Sequence, residues 1–108
     1  MAIQALREQS YYVLAALLDG PQHGYGIIKQ ARRLTGGEVV LPPGTLYGAL
    51  ERLADAGLIL AHGEEVVDGR VRRYFRLSET GHATLLHEAN RLEAAARLVL
   101  GRVAAAVG

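Results

Sequence analysis

Four arginines fall within seven residues, at Arg70, Arg72, Arg73 and Arg76, with Tyr74 and Phe75 among them. This is the densest basic cluster in the chain, and guanidinium groups so placed suit the neutralisation of phosphates. Glu64, Glu65 and Asp68 dilute it, so that residues 58–77 sum to +1, and a solvated, salt-bridged ribbon is the alternative use of the same side chains. A second set lies upstream, where Thr45, Tyr47 and Arg52 are interspersed with Gly44 and Gly48. The two hydroxyls donate hydrogen bonds to phosphates or base edges, Arg52 neutralises a phosphate, and the glycines let backbone N–H groups come close to an anion. Against this stand a short helix merely marked by glycines and an Arg52 paired with Glu51 or Asp55.

Little other chemistry is on offer. The chain has no cysteine, which removes disulfides, thiol catalysis and cysteine-based metal sites. His82 and His87 are five residues apart, not the three or four that align two ligands on one helix face, and no carboxylate completes a site with them. His23 precedes a helix and reads as a capping or turn residue. No Ser-His-Asp order, paired-carboxylate motif or phosphate-cradling glycine loop accompanies the histidines. The expectation is a protein that is not an enzyme and that carries no metal and no cofactor.

The 108 residues are one domain's worth, half of them apolar, with 12 basic and 11 acidic side chains and a net charge of +1. Overall charge therefore advertises no partner. No apolar run approaches the roughly 20 residues that span a bilayer, and the N-terminus lacks a signal-peptide layout, which predicts a cytoplasmic protein without membrane association. A fold of this size buries only about two-thirds of its unfolded surface, so the apolar excess points to a second subunit.

Periodicity supplies the elements that must position these groups. Between Ile3 and Leu18 a helical stripe of Ile3, Leu6, Val13, Leu14 and Leu17 ends at Gly20-Pro21, and Ala5, Glu8, Tyr12, Ala15 and Ala16 form a largely nonpolar opposite side. A second helix runs from Gly24 to Thr35, stopped by Gly36-Gly37. A third begins at Pro42-Pro43-Gly44-Thr45 and continues to Ala56, with Gly57 as terminator. Burial of Leu46, Leu50 and Leu53 turns Thr45, Gly48 and Arg52 outward, with Tyr47 at the boundary.

After Gly57 the period changes. Leu58–Val67 and Arg70–Leu77 read as strands joined by Asp68-Gly69, the signal of a type I′ hairpin, in a register that sets Glu65 opposite Arg72 and Glu64 opposite Arg73 for charge pairing. Alternation places Arg70, Arg72, Tyr74 and Arg76 on one face and Val71, Phe75 and Leu77 on the other, with Arg73 near the tip of the latter. Ser78 caps a final helix that no proline interrupts, about 45 Å long if it runs 30 residues. Its stripe of Leu85, Ala89, Leu92, Ala96, Val99 and Val103 alternates by four and three, the spacing of a coiled-coil seam. In the first two turns this stripe packs on its own domain or on a partner with equal reason. Further out, a homodimer covers it together with the nonpolar back of the first helix, and Gly101 and the alanine tail predict fraying at the end.

Three helices, a hairpin and a closing helix are the order of a winged helix-turn-helix: mainly α, with a β-hairpin wing over residues 1–77 and a dimerisation helix over 78–108 packed with the first helix as one structural unit. In that fold the third helix enters the major groove and the wing meets the backbone or the minor groove. Five motifs stand in order: His23-Gly24-Tyr25-Gly26-Ile27-Ile28, Gly44-Thr45-Leu46-Tyr47, the run from Leu50 to Ile59, Gly69 to Leu77, and Ser78-Glu79-Thr80-Gly81. On these the chain resembles the PadR-type transcriptional regulators, in the short form with one C-terminal helix, and the resemblance covers almost the whole chain. It implies a dimeric repressor that binds a double-stranded DNA operator through Tyr25, Thr45, Tyr47, Arg70, Arg72 and Arg73. It also implies release by a small-molecule effector bound near the dimer interface. Many relatives carry proline where this chain has Gly48, and some carry a ligand-sandwiching tryptophan about where Leu92 stands. Tyr12 is the nearest substitute here, lining a pocket with Leu85, Ala89, Leu92 and Ala96. A winged-helix module that binds protein and leaves its wing idle is the alternative function.

Overall fold

The computed structural model describes residues 6–107. The element order is α1 (Glu8–Ala16), β1 (Gln22–His23), α2 (Gly24–Leu34), α3 (Pro43–Asp55), β2 (Ile59–Val67), β3 (Arg70–Leu77) and α4 (Glu79–Val107). Ile3 and Ala5, placed on the first helix by periodicity, lie outside the described residues. The helix itself starts later than expected, at Glu8, because the Leu6 N–H donates to Glu88 Oε2 at 3.1 Å and the chain there is tied to α4. It also ends early, in a tight turn over residues 17–20 closed by Gly20 at φ 140°.

The core is built where α1, α2 and α3 meet, from Val13, Leu14, Leu17, Ile27, Ala31, Leu46, Ala49, Leu50 and Leu53, with Leu41, Ile59 and Leu85 closing its edges. Ala16, assigned to the nonpolar back of the first helix, is buried with them. The buried stripe is wider than the aliphatic pattern implied because α1 packs on α2, α3 and α4 at once. The α2 helix ends as expected, with Gly36 and Gly37 at positive φ. Pro43 opens α3 where a missing N–H costs nothing, and Gly57 at φ 74° follows its C-cap.

The hairpin has the expected register, Glu64 opposite Arg73 and Glu65 opposite Arg72, and turns at Asp68 and Gly69 with φ of 51° and 75°. Two features depart from the sequence reading. A β-bulge places His62 and Gly63 opposite Tyr74 alone, with Gly63 at φ 91°. A third strand, β1, pairs with β3 through Gln22 opposite Phe75 and His23 opposite Tyr74, giving the antiparallel order β1-β3-β2.

Ser78 joins wing, α3 and α4. Its hydroxyl donates to the Gly57 carbonyl at 2.6 Å and accepts the Gly81 N–H at 2.9 Å. At Gly81, α4 crosses so near the chain that a Cβ would lie 1.9 Å from the Leu58 carbonyl oxygen. Gly81, Thr84, Leu85 and Glu88 are buried, and every residue from Asn90 to Val107 is exposed. The helix continues through Gly101 and the alanines to Val107, and the molecule measures 61 × 35 × 22 Å.

Candidate nucleic-acid interface

The start of α2, the exposed side of α3 and the strand β3 enclose an open groove of about 900 Å³. Tyr25 and Tyr47 enter it from the helices, Arg70, Arg72 and Arg73 from the wing, and Phe75 with Leu50 forms its apolar part. Tyr25 and Tyr47 are each 62% exposed, a large apolar area to leave in water without a partner. Buried Gly24 packs against Leu46 and Tyr47: a Cβ there would sit 3.3 Å from Leu46 Cδ2 and 3.4 Å from the phenol oxygen. The other helix residues picked from sequence, Gly44, Thr45, Gly48 and Arg52, form none of the groove's walls. Thr45 and Gly48 are half-buried, not outward, because Ala49 joins Leu46, Leu50 and Leu53 and widens the buried stripe. Arg52 is exposed and lies back along the helix, its Nη1 3.4 Å from where a Gly48 side chain would begin.

The expected cross-strand ion pairs do not close. Among the described residues, carboxylate–cation contacts within 4 Å are confined to α4, where Arg91 meets Glu88 and Arg97 meets Glu93. Glu65 instead accepts a hydrogen bond from the Tyr74 hydroxyl at 2.7 Å, an interaction that raises the phenol's pKa. The wing arginines and Arg52 therefore have no carboxylate within 4 Å, Arg72 alone meeting another polar side chain at His23 Nε2, 3.4 Å away, and the salt-bridged ribbon is not what forms. Arg73 lies 5.9 Å from the Phe75 ring centre.

Several wall residues escaped the sequence reading. Glu51 and Asp55 stand in the groove beside the arginines, one and two turns beyond Tyr47. His23 caps α2, its Nδ1 accepting the Gly26 N–H at 3.1 Å, as its place before a helix had suggested. It also packs edge-on to Tyr74 at 5.3 Å and parallel to Tyr25 at 6.5 Å, which only the unforeseen strand β1 makes possible. Burial, then the Arg72 charge, holds its pKa below the ordinary value, against a smaller pull from Glu65. A neighbouring recess of about 480 Å³ extends the cationic surface along α2, with Lys29, Arg32 and Arg33 beside Tyr25 and the backbone of Gly36 and Gly37. Lys29 Nζ sits 5.6 Å from the Tyr25 ring centre.

The residues expected at the dimer seam divide. Leu85 is buried in its own chain's core, which decides the early turns of α4 in favour of packing within the domain. Tyr12 and Ala89 are half-buried, and Tyr12 meets Tyr11 edge to face at 5.5 Å. Leu92, Ala96, Val99 and Val103 are exposed, along with Leu98, Leu100 and Val107. No helix among the described residues is long and apolar enough to cross a membrane, and no group of three His, Asp or Glu side chains among them is set to hold a metal.

This arrangement, three helices with a winged hairpin and a long closing helix, defines a winged helix-turn-helix protein. The family model of the transcriptional regulator PadR-like family matches residues 13–87, and the chain belongs to that family. It is 39% identical over 90 residues to the transcriptional regulator Rv3488 of Mycobacterium tuberculosis, a match covering 83% of this chain and 80% of that protein. Its fold superposes with a TM-score of 0.73 on a PadR family transcription regulator from hypervirulent Clostridium difficile, at 25% identity, covering 87% of this chain and 96% of the other. Bacillus subtilis PadR in complex with operator DNA gives a TM-score of 0.67 at 22% identity, over 75% of this chain and 46% of that one. The protein is thus a PadR family transcriptional regulator and not an enzyme.

Proposed function

We propose that the protein is a cytoplasmic, dimeric repressor that binds an operator through α3 and the wing and is released by a small molecule bound near the dimer interface. The observation that carries the DNA reading is the groove in which Tyr25 and Tyr47 face three wing arginines without carboxylate partners. Arg70, Arg72 and Arg73 neutralise backbone phosphates. Tyr25, Thr45 and Tyr47 donate hydrogen bonds, and Arg52, with the α3 N-terminus at Gly44, adds a further anion contact. Gly48 keeps the helix surface low beneath Arg52. The operator bound by the Bacillus subtilis relative supports this reading by analogy.

Residues 1–77 form the DNA-binding part, and residues 78–108 provide the dimerisation helix, the two packed as one unit. The exposed stripe of Leu92, Ala96, Val99 and Val103 is the surface that a second copy covers. An effector fits where Tyr12, Ala89 and Leu92 border that seam. Fluorescence anisotropy tests the DNA reading, using a labelled duplex from upstream of the protein's own gene beside a scrambled duplex at physiological salt. A preference of roughly a thousandfold is expected. Equal, weak binding to both would count against sequence-specific regulation at that site and favour a protein-binding module.

A further inference from the structure

His23 has two nitrogens and two donors competing for them. Nδ1 accepts the Gly26 N–H at 3.1 Å, and Nε2 lies 3.4 Å from Arg72 Nη1, which always carries protons. A neutral imidazole offers one acceptor nitrogen. When Nδ1 caps α2, the ring proton sits on Nε2 and faces another N–H, so Arg72 is left without a hydrogen bond from the ring. When Nε2 accepts from Arg72, the proton moves to Nδ1 and the cap is lost.

The ring cannot turn freely between these duties. Tyr25 lies parallel to it and Tyr74 meets its edge, while pairing of His23 with Tyr74 fixes its backbone on β3. The charged and titratable groups around it are Glu65 of β2, Arg72 and Tyr74 of β3, and Tyr25 and Lys29 of α2. Glu65 is already engaged by the Tyr74 hydroxyl at 2.7 Å.

We propose that His23 is a positioning residue for DNA binding: without DNA it exchanges between the tautomer that caps α2 and the one that holds the Arg72 guanidinium at the groove, and it settles on the cap when a phosphate takes Arg72. Engagement of the wing thereby tightens the first turn of α2, next to Tyr25. The inference rests on the DNA reading above and adds a residue that acts through Arg72.

A double-mutant cycle tests it on the full chain. His23→Asn keeps a side-chain acceptor suited to the N-cap while removing the ring, so the variant folds. Affinity is measured for a labelled mixed-sequence duplex at about 50 mM salt, where phosphate contacts dominate. His23→Asn should weaken binding on the order of fivefold in the parent and leave an Arg72→Ala background unchanged, since coupled residues are not additive. Nitrogen-15 spectra of the parent should show the His23 proton shifting toward Nε2 when the duplex is added. Equal losses in both backgrounds, or an unchanged tautomer, would overturn the role of His23 while leaving DNA binding intact. A parent that does not bind the duplex at all would remove the DNA reading and this inference with it.

Discussion

Arg72 is the side chain where the site's electrostatics are most exposed to test. A phosphate contact carries no base information, so Arg72→Ala should weaken binding to every duplex alike and reduce the slope of log K against log salt by about 0.9. An unchanged slope in a salt titration would take Arg72 off the backbone. Two other side chains make stability depend on acid pH. His23 has its pKa lowered by burial and by Arg72, so the unfolded chain binds its proton first, and stability is lost as pH falls from about 6.5 through the native value. Glu88 has its pKa lowered by the Arg91 hydrogen bond and the Leu6 N–H, against burial, and its contribution is present above the ordinary value of 4.5 and lost below it. Melting temperature against pH should therefore fall in two stages, the upper absent from His23→Asn and the lower from Glu88→Gln. The arginine cluster and Tyr47 were legible in sequence because their types alone suit phosphates and bases, whereas Tyr25 came only with the family resemblance. Glu51, Asp55 and the pairing of Tyr74 with Glu65 were not, since opposite charges at facing register positions say nothing of which donor reaches the carboxylate first.

Most elements announced themselves through glycine and proline. Asp68-Gly69 fixed the hairpin and Ser78 the start of α4, because each residue there meets a backbone demand that few others can meet. The strand β1 left no such mark: two residues carry no alternation, and their pairing depends on β3, some fifty positions away. The bulge at His62 and Gly63 was equally silent, as a single glycine in a strand signals a break only once the register on both sides is known. Gly81 acquires its meaning from packing. With a Cβ only 1.9 Å from the Leu58 carbonyl oxygen, Gly81→Ala must push α4 off the hairpin and should cost about 1–3 kcal/mol, seen as a lower urea midpoint. An unaltered midpoint would mean that the helix start yields easily.

At the scale of the whole molecule, the outer part of α4 carries an exposed apolar surface of Leu92, Leu98, Val99, Leu100, Val103 and Val107. Leu92→Glu places a charge on that stripe and should shift sedimentation from dimer to monomer at micromolar concentration while the parent stays dimeric. A dimer of undiminished thermal stability would move the seam elsewhere. The sequence made this surface visible through its four-three spacing but left the first turns open, and the burial of Leu85 and Glu88 shows how far domain packing reaches. Ser78 gives that boundary a mechanical meaning. One hydroxyl fastens the end of α3 to the first turn of α4, and burial continues along the helix as far as Glu88. With a rise of 1.5 Å per residue, Ala89 stands about 16 Å along the helix from that fastening and Val103 about 37 Å. A small tilt of the anchored turns is thus more than doubled in displacement between Ala89 and Val103, so the outer stripe reports the attitude of the three-helix body at a distance.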